Sequence, residues 1–183
     1  GGCQLQHLAY PQQLKLKKQK VIDNLERIGG FKEIEVYDTL GMENPFRYRN
    51  KVQLPVGLGK DGQIQIGFYA PRSHNIIEMD TCFIQPQVND ELINYIKKWM
   101  TDYNIPPYNE NTGKGLIRHI FTRVGFKSGE IMVVLITNGI KIPYVDRLIE
   151  GIKQINPNVK SIIQNINTKK TNVIMGSENK VLW

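Results

Sequence analysis

Val52-Gln53-Leu54-Pro55-Val56 and Ile64-Gln65-Ile66-Gly67-Phe68-Tyr69, separated by a turn around Asp61-Gly62, decide how this chain is read. Val52, Leu54 and Val56 recur at every second residue, the period of a strand with one buried face. Ile64, Ile66 and Phe68 repeat that pattern on the return. Asp-Gly between two such runs is a strong signal for a tight antiparallel turn. The reading is a β-hairpin, with Ile64, Ile66 and Phe68 on one face.

Working outward, Leu116–Val124 and Glu130–Thr137 flank Gly125-Phe126-Lys127-Ser128-Gly129 and predict a second hairpin. Ile131 to Ile136 is apolar without alternation, so that strand is expected to be covered on both faces. A helix is expected from Pro86 to about Tyr103, with Leu92, Ile96, Trp99 and Tyr103 on one side. Another runs from Pro143 to Ile155, striped by Val145, Leu148, Ile149, Ile152 and Ile155. Ser73–Cys82 reads as a short third strand ending at the cysteine, Val159–Asn167 as a further strand, and Asn172–Gly176 as a last extended piece. Ahead of the first hairpin, Leu14, Val21, Leu25 and Ile28 share one face of a helix that Pro11 opens and Gly29-Gly30 stops. A short Ile34-Glu35-Val36 segment follows, and the proline- and glycine-rich loop Asn104–Gly115 is expected to break the chain into halves of similar plan. The fold class is α+β: antiparallel hairpins with two helices packed on one side, plus an N-terminal helix.

Hydrophobic residues at 40% and charged residues at 22% describe an ordinary globular chain, and 183 residues can bury a substantial core. No apolar run approaches the roughly 18 residues of a membrane-spanning helix, and no secretion signal opens the sequence. The net charge of +7, from 24 basic and 17 acidic residues, favours a polyanionic partner. Lys15, Lys17, Lys18 and Lys20 crowd the first helix, either as a solvated face or as an RNA-contacting one. Two cysteines are too few for a disulfide framework. Cys3 and Cys82 are open to three readings: reduced thiols of a cytoplasmic protein, a disulfide, or halves of a split metal site.

Most catalytic constellations are missing. No Gly-rich loop between a strand and a helix could cradle a nucleotide or a methionine-derived cofactor. His7, His74 and His119 have no metal-ligand spacing, and no Gly-x-Ser-x-Gly marks a nucleophile elbow. Neither cysteine has a general base near it in sequence. By itself this chain is expected to be inactive, so no catalytic and no cofactor-binding residue is assigned.

Several ordered blocks carry a family resemblance that covers essentially the whole chain. Gly1-Gly2-Cys3-Gln4-Leu5-Gln6-His7 resembles the end of a Cys-x5-Cys-Gly-Gly-Cys motif. Tyr48-Arg49-Asn50-Lys51-Val52-Gln53 is similar to a second block, and Ile66-Gly67-Phe68-Tyr69 with Ser73-His74 and Ile76-Ile77 leads into Cys82 as a third. Leu116-Ile117-Arg118-His119 and Ile163-Gln164-Asn165-Ile166-Asn167, followed by Val173-Ile174-Met175-Gly176, complete the series. Together they resemble the RNA uracil-5-methyltransferase family.

The resemblance implies a cytoplasmic enzyme that methylates carbon five of a uridine in ribosomal or transfer RNA, using S-adenosylmethionine. It implies an N-terminal RNA-binding barrel, a central domain and a C-terminal Rossmann-type catalytic domain that holds the nucleophile, base and cofactor site. This chain would then be a truncated central fragment, its missing catalytic domain acting as a partner from the same polypeptide. Residues 1–31 would be the remnant of the cysteine motif with its helix, 32–176 the central α+β domain, and 177–183 the lead into the catalytic domain. The helix of residues 11–28 is expected to expose an apolar stripe. In the family three clustered cysteines and a distant fourth hold an iron–sulfur cluster, with Cys3 and Cys82 matching the third and fourth. A four-iron cluster takes four thiolates, so this chain is expected to hold none stably, although the two thiols are expected to approach one another.

For RNA, the candidates are Arg47, Tyr48, Arg49, Lys51 and Gln53, with Arg118 and His119 from the second half. Arginines serve phosphates or stack on bases, and an aromatic offers a face to an unpaired base. On a strand, alternate charges also simply face solvent. Two other functional readings stand beside this one: a basic interaction module with no RNA role, favoured if the Arg47–Gln53 face is buried, and an intact small enzyme, disfavoured by the missing cofactor loop.

Overall fold

A computed structural model describes residues 3–183, so the Gly1-Gly2 pair lies outside the described residues. The chain divides into two compact units, one ending at Pro45 and the other spanning Phe46–Trp183. Among the described residues no helix is long and apolar enough to cross a membrane.

In the first unit, α1 (Tyr10–Asp23) runs into a single π-helical turn, Asn24–Ile28, with proline in its first turn as expected. No residue of α1 is buried, and Val21 (48% exposed) and Ile28 (83%) leave the expected apolar stripe open. The segment after the glycine stop returns along the helix. Thr39 Oγ1 donates to the Leu14 carbonyl at 3.1 Å, Met42 N–H to the Tyr10 hydroxyl at 2.7 Å, and Lys18 pairs with Asp38 at 2.8 Å. Ile34-Glu35-Val36 is irregular, not a strand.

The second unit is one seven-stranded sheet in the order Ile76–Glu78 (β3), Ile64–Tyr69 (β2), Lys51–Leu58 (β1), Ile117–Val124 (β4), Ile131–Thr137 (β5), Val159–Ile166 (β6) and Glu178–Val181 (β7). The first hairpin is β1 (Lys51–Leu58) and β2 (Ile64–Tyr69), and the second is β4 (Ile117–Val124) and β5 (Ile131–Thr137). Antiparallel pairing of β1 with β4 joins them, Leu54 opposite Ile120, so the loop 104–115 does not divide the chain. That loop is itself packed: Ile105 and Tyr108 are buried, and Tyr108 N–H donates to the Ile117 carbonyl at 2.8 Å. β6 (Val159–Ile166) runs parallel to β5, a pairing that requires a crossover, and α3 (Val145–Ile155) supplies it.

Three expectations shift. The third strand, β3 (Ile76–Glu78), ends before Cys82 and forms the sheet edge. It lies so close to β2 that a Cβ on Gly67 would come within 1.9 Å of the Ile77 carbonyl oxygen. The final extended piece is β7 (Glu178–Val181), pairing Val181 with Ile163, instead of Asn172–Gly176. Phe68 is 40% exposed, although it shares a strand face with buried Ile66.

α2 (Val88–Asp102) and α3 pack on one face of the sheet. Leu92, Ile96, Trp99, Leu148 and Ile152 are buried against Val52, Leu54, Val56, Ile120, Val133 and Leu135. Each such side chain contributes about 1.5–3 kcal/mol on leaving water. Thr122 Oγ1 donates to Asn89 Oδ1 at 2.9 Å, a buried polar tie between β4 and α2. The opposite face carries a smaller cluster, Phe121, Val134 and Ile136, with Met132, Ile163 and Ile174 against it. The interior strand β5 is therefore apolar on both sides, as its sequence foretold.

Candidate nucleic-acid interface

Arg47 and Cys82 sit side by side. Arg47 N–H donates to the Phe83 carbonyl at 2.8 Å and Arg49 N–H to Ile84 at 2.9 Å, so residues 46–49 lie along 82–85. The Arg47 guanidinium donates to the carbonyls of Cys82 (2.8 Å) and Gln85 (2.9 Å) and lies 3.6 Å from Asp90. Its backbone is left-handed (φ 56°), a strained conformation for a non-glycine residue that these contacts hold in place. Arg47 is thus committed to the protein. Tyr48, Arg49 and Lys51 are exposed, and Gln53 is half-buried.

The register of the sheet adds a residue that the sequence reading missed. Lys51 lies opposite Arg123, and both are exposed. With Arg49 they concentrate positive charge at one end of the β1–β4 pair. The signal for Arg123 is its alternation with Phe121 and His119 on β4, which carries meaning only once the pairing with β1 is fixed.

At the other end of the same pair lies a groove of about 870 Å³. Its walls are the β1–β2 turn, Tyr69, His74, the loop at 108–111, and Arg118 and His119 at the start of β4. Tyr69 and His74 stack with ring centroids 4.9 Å apart and planes 18° from parallel. Glu110 receives both: Tyr69 Oη donates to Oε1 at 3.4 Å, and His74 Nδ1 meets Oε2. Burial, reinforced by the Glu110 charge, pushes the Tyr69 hydroxyl up to about 12, so it remains a donor.

Arg118 is 4% exposed and His119 6%. A bulge between Ile117 and His119 turns the arginine inward. Its guanidinium donates to the carbonyls of Asn167 and Lys169, both at 2.8 Å, and reaches Thr171 at 3.4 Å, while lying 4.3 Å from the Tyr108 ring centroid. Burial first, and then the adjacent Arg118 charge, lowers His119 to about 4, so the imidazole is neutral at pH 7. Arg118 Nε and His119 Nδ1 are buried and have no hydrogen-bond partner.

Three further polar side chains are buried for structural reasons. Gln164 Nε2 donates to Thr137 Oγ1 (2.9 Å) and to the carbonyls of Gly139 (2.9 Å) and Ile140 (3.0 Å). Asn165 Nδ2 donates to Gly176 (3.0 Å) and Glu178 (3.3 Å), and its Oδ1 accepts from Gly176 N–H at 2.7 Å. Asn167 Nδ2 donates to Val173 (2.7 Å) and Ile174 (2.9 Å). The Gln164–Asn167 block therefore ties down the loops around it. Gly176 is fixed by the same closeness, since a Cβ there would lie 1.9 Å from the Ile166 carbonyl oxygen.

Neither implied cofactor fits these residues. The β5–α3 junction has no glycine-rich loop, Gln164 occupies its carbonyls, and left-handed Tyr144 (φ 53°) caps the helix. Cys3 is exposed in the first unit and Cys82 partly exposed in the second. Among the described residues no group of three or more His, Cys, Asp or Glu is arranged to hold a metal.

No protein-family model matches the chain. Over all 183 residues it is 52% identical to a Clostridium tetani protein described as an RNA methyltransferase, covering 39% of that protein. It is 50% identical, again over its full length, to one from Halalkalibacterium halodurans, covering 40%. Among solved structures it is similar to the Pyrococcus abyssi tRNA (uracil-54, C5)-methyltransferase in complex with S-adenosyl-L-homocysteine. That match has a TM-score of 0.71 and 28% identity, and spans the whole of this chain and 40% of the other. The chain is homologous from end to end to proteins named RNA methyltransferases, and it spans about two fifths of their length.

Proposed function

We propose that this chain is the central, RNA-contacting part of an S-adenosylmethionine-dependent RNA uridine C5-methyltransferase, acting on ribosomal or transfer RNA. The chemistry and the S-adenosylmethionine site belong to a catalytic domain of the same polypeptide outside these residues. The observation that carries this reading is the coverage: end-to-end homology to RNA methyltransferases, over only about 40% of their length. The cofactor, when bound elsewhere in the enzyme, supplies the methyl group.

What these residues do is hold RNA. Arg49, Lys51 and Arg123 present exposed charge for phosphates at one end of β1–β4. Exposed Tyr48 offers a stacking face beside them. Arg47 and Arg118 act differently: they lock residues 82–85 and 167–171 and so keep the RNA-facing surface rigid. The exposure of Tyr48, Arg49 and Lys51 favours this reading over a basic module without an RNA role.

The test is incubation of the chain with stem-loop RNA and labelled S-adenosylmethionine, alongside a direct binding measurement. RNA binding without methyl transfer is expected. Transfer of label by this chain alone, or no RNA binding at low salt, would refute the proposal.

A further inference from the structure

We infer that the groove between Tyr69, His74, Glu110 and His119 receives one unpaired nucleobase of the bound RNA, stacked on the exposed face of His74. The inference rests on the RNA-contacting reading and names the part of the RNA that enters.

The lining selects a base over a phosphate. Glu110 and Asp61 both border the groove, and their charges repel an anion. Of the two cations in the lining, Lys60 stands exposed on the β1–β2 turn next to Asp61, and Arg118 in the floor has its guanidinium engaged by backbone carbonyls and by the Tyr108 ring, so the lining carries no net positive charge. His119, held neutral by burial, brings no charge. Its Nδ1 is enclosed, so a polar contact to a base edge falls to Nε2, a donor or an acceptor according to the tautomer. The Tyr69–His74 stack adds a flat aromatic surface, and the His74 side chain is 59% exposed at its outer end. Space for a nucleoside is ample, since ligand pockets typically run from about 300 to 1,000 Å³ and this one is about 870 Å³.

Two observations point to a missing partner here. Arg118 Nε and His119 Nδ1 are two of only four buried side-chain polar atoms without a partner among the described residues. Such atoms are exceptional in folded proteins, and here both belong to residues that line one groove, so a ligand reaches them only with a small shift of that lining. The second is position. His119, Phe121 and Arg123 alternate along one face of β4, so the groove lies about 13 Å from the basic end, four residues at about 3.3 Å each. A strand whose phosphates meet Arg49, Lys51 and Arg123 can therefore drop a nearby base into the groove.

The experiment uses the 183-residue chain and three RNAs: a stem-loop, the same stem-loop with abasic loop nucleotides, and a blunt duplex. The stem-loop should bind at least about fivefold more tightly than its abasic form, the lower end of one stacked base. His74→Ala should abolish that difference while leaving duplex affinity unchanged, which also reports an intact fold. Glu110→Gln should shrink it by freeing the His74 ring. Equal affinity of the wild-type chain for base-containing and abasic loops overturns the inference, as does a difference that survives His74→Ala. Failure to bind any of the three at low salt overturns the RNA-contacting reading, and this inference with it.

Discussion

Acidification should destabilise the second unit through His119, and the size of the effect follows from its surroundings. The imidazole lies on β4 at 6% exposure, next to the Arg118 guanidinium. Burial and that charge lower it from 6.5 to about 4, with Glu110 opposing weakly. Between those two values the unfolded chain binds a proton at this histidine and the folded chain does not. Stability therefore rises with pH across the window and is lost as pH falls from about 6.5 to about 4. At 1.36 kcal/mol per pH unit, the full span is at most about 3 kcal/mol. With a urea m-value of about 2 kcal/mol/M, the midpoint should move by roughly 1–1.5 M. Trp99, 1% exposed in this unit, provides a fluorescence probe. The assay compares urea midpoints from pH 7.5 to 4.5 for the wild type and for His119→Gln, which cannot titrate. The wild type should lose stability more steeply than the variant across the window. Parallel pH profiles would refute the reasoning, because every other titrating group is common to both proteins.

Other perturbations bear on the same surface. Arg118→Met should cost about 2–4 kcal/mol, since the carbonyls of Asn167 and Lys169 lose a charged donor, and should raise hydrogen exchange in residues 167–171; unchanged exchange there would count against a locking role. Arg47→Ala, which removes the donor to Cys82 and Gln85, should cost about 1–3 kcal/mol and increase the reactivity of Cys82 toward a thiol reagent. Asn165→Ala should free Gly176 and β7 at about 1–3 kcal/mol, read as faster exchange in residues 176–181, whereas retained protection would show that backbone pairing alone holds the strand.

Much of the fold was legible because its strands and helices keep their periods. Val52, Leu54 and Val56 alternate and are all buried, and Leu92, Ile96 and Trp99 line the helix side that meets them. β7 was illegible for the converse reason: Glu178-Asn179-Lys180-Val181 is exposed throughout and held by pairing with β6 and by Asn165, not by an apolar face. Local pattern also says nothing about which strands pair. The loop 104–115, rich in turn residues, read as a break between halves, yet β1 and β4 on either side are neighbours.

The site was legible only in pieces. Lys51 and Arg49 stood out as cations, but Arg123 joins them only through the β1–β4 register. Arg118 read as an RNA-binding candidate, and the structure instead buries it under three carbonyls beside a bulge in β4. The groove draws residues from β2, the loop after it, the 108–111 segment and β4, and no spacing rule links such positions.

The central claim is that this chain grips RNA through phosphate contacts at its basic end. It is tested most directly by the affinity for a stem-loop RNA at 50 and 200 mM salt. Three exposed cations, Arg49, Lys51 and Arg123, imply a slope of log affinity against log salt of about −2 to −3, or roughly 15- to 65-fold weaker binding at the higher salt. Binding that is absent at 50 mM, or that does not change between the two concentrations, would contradict the claim.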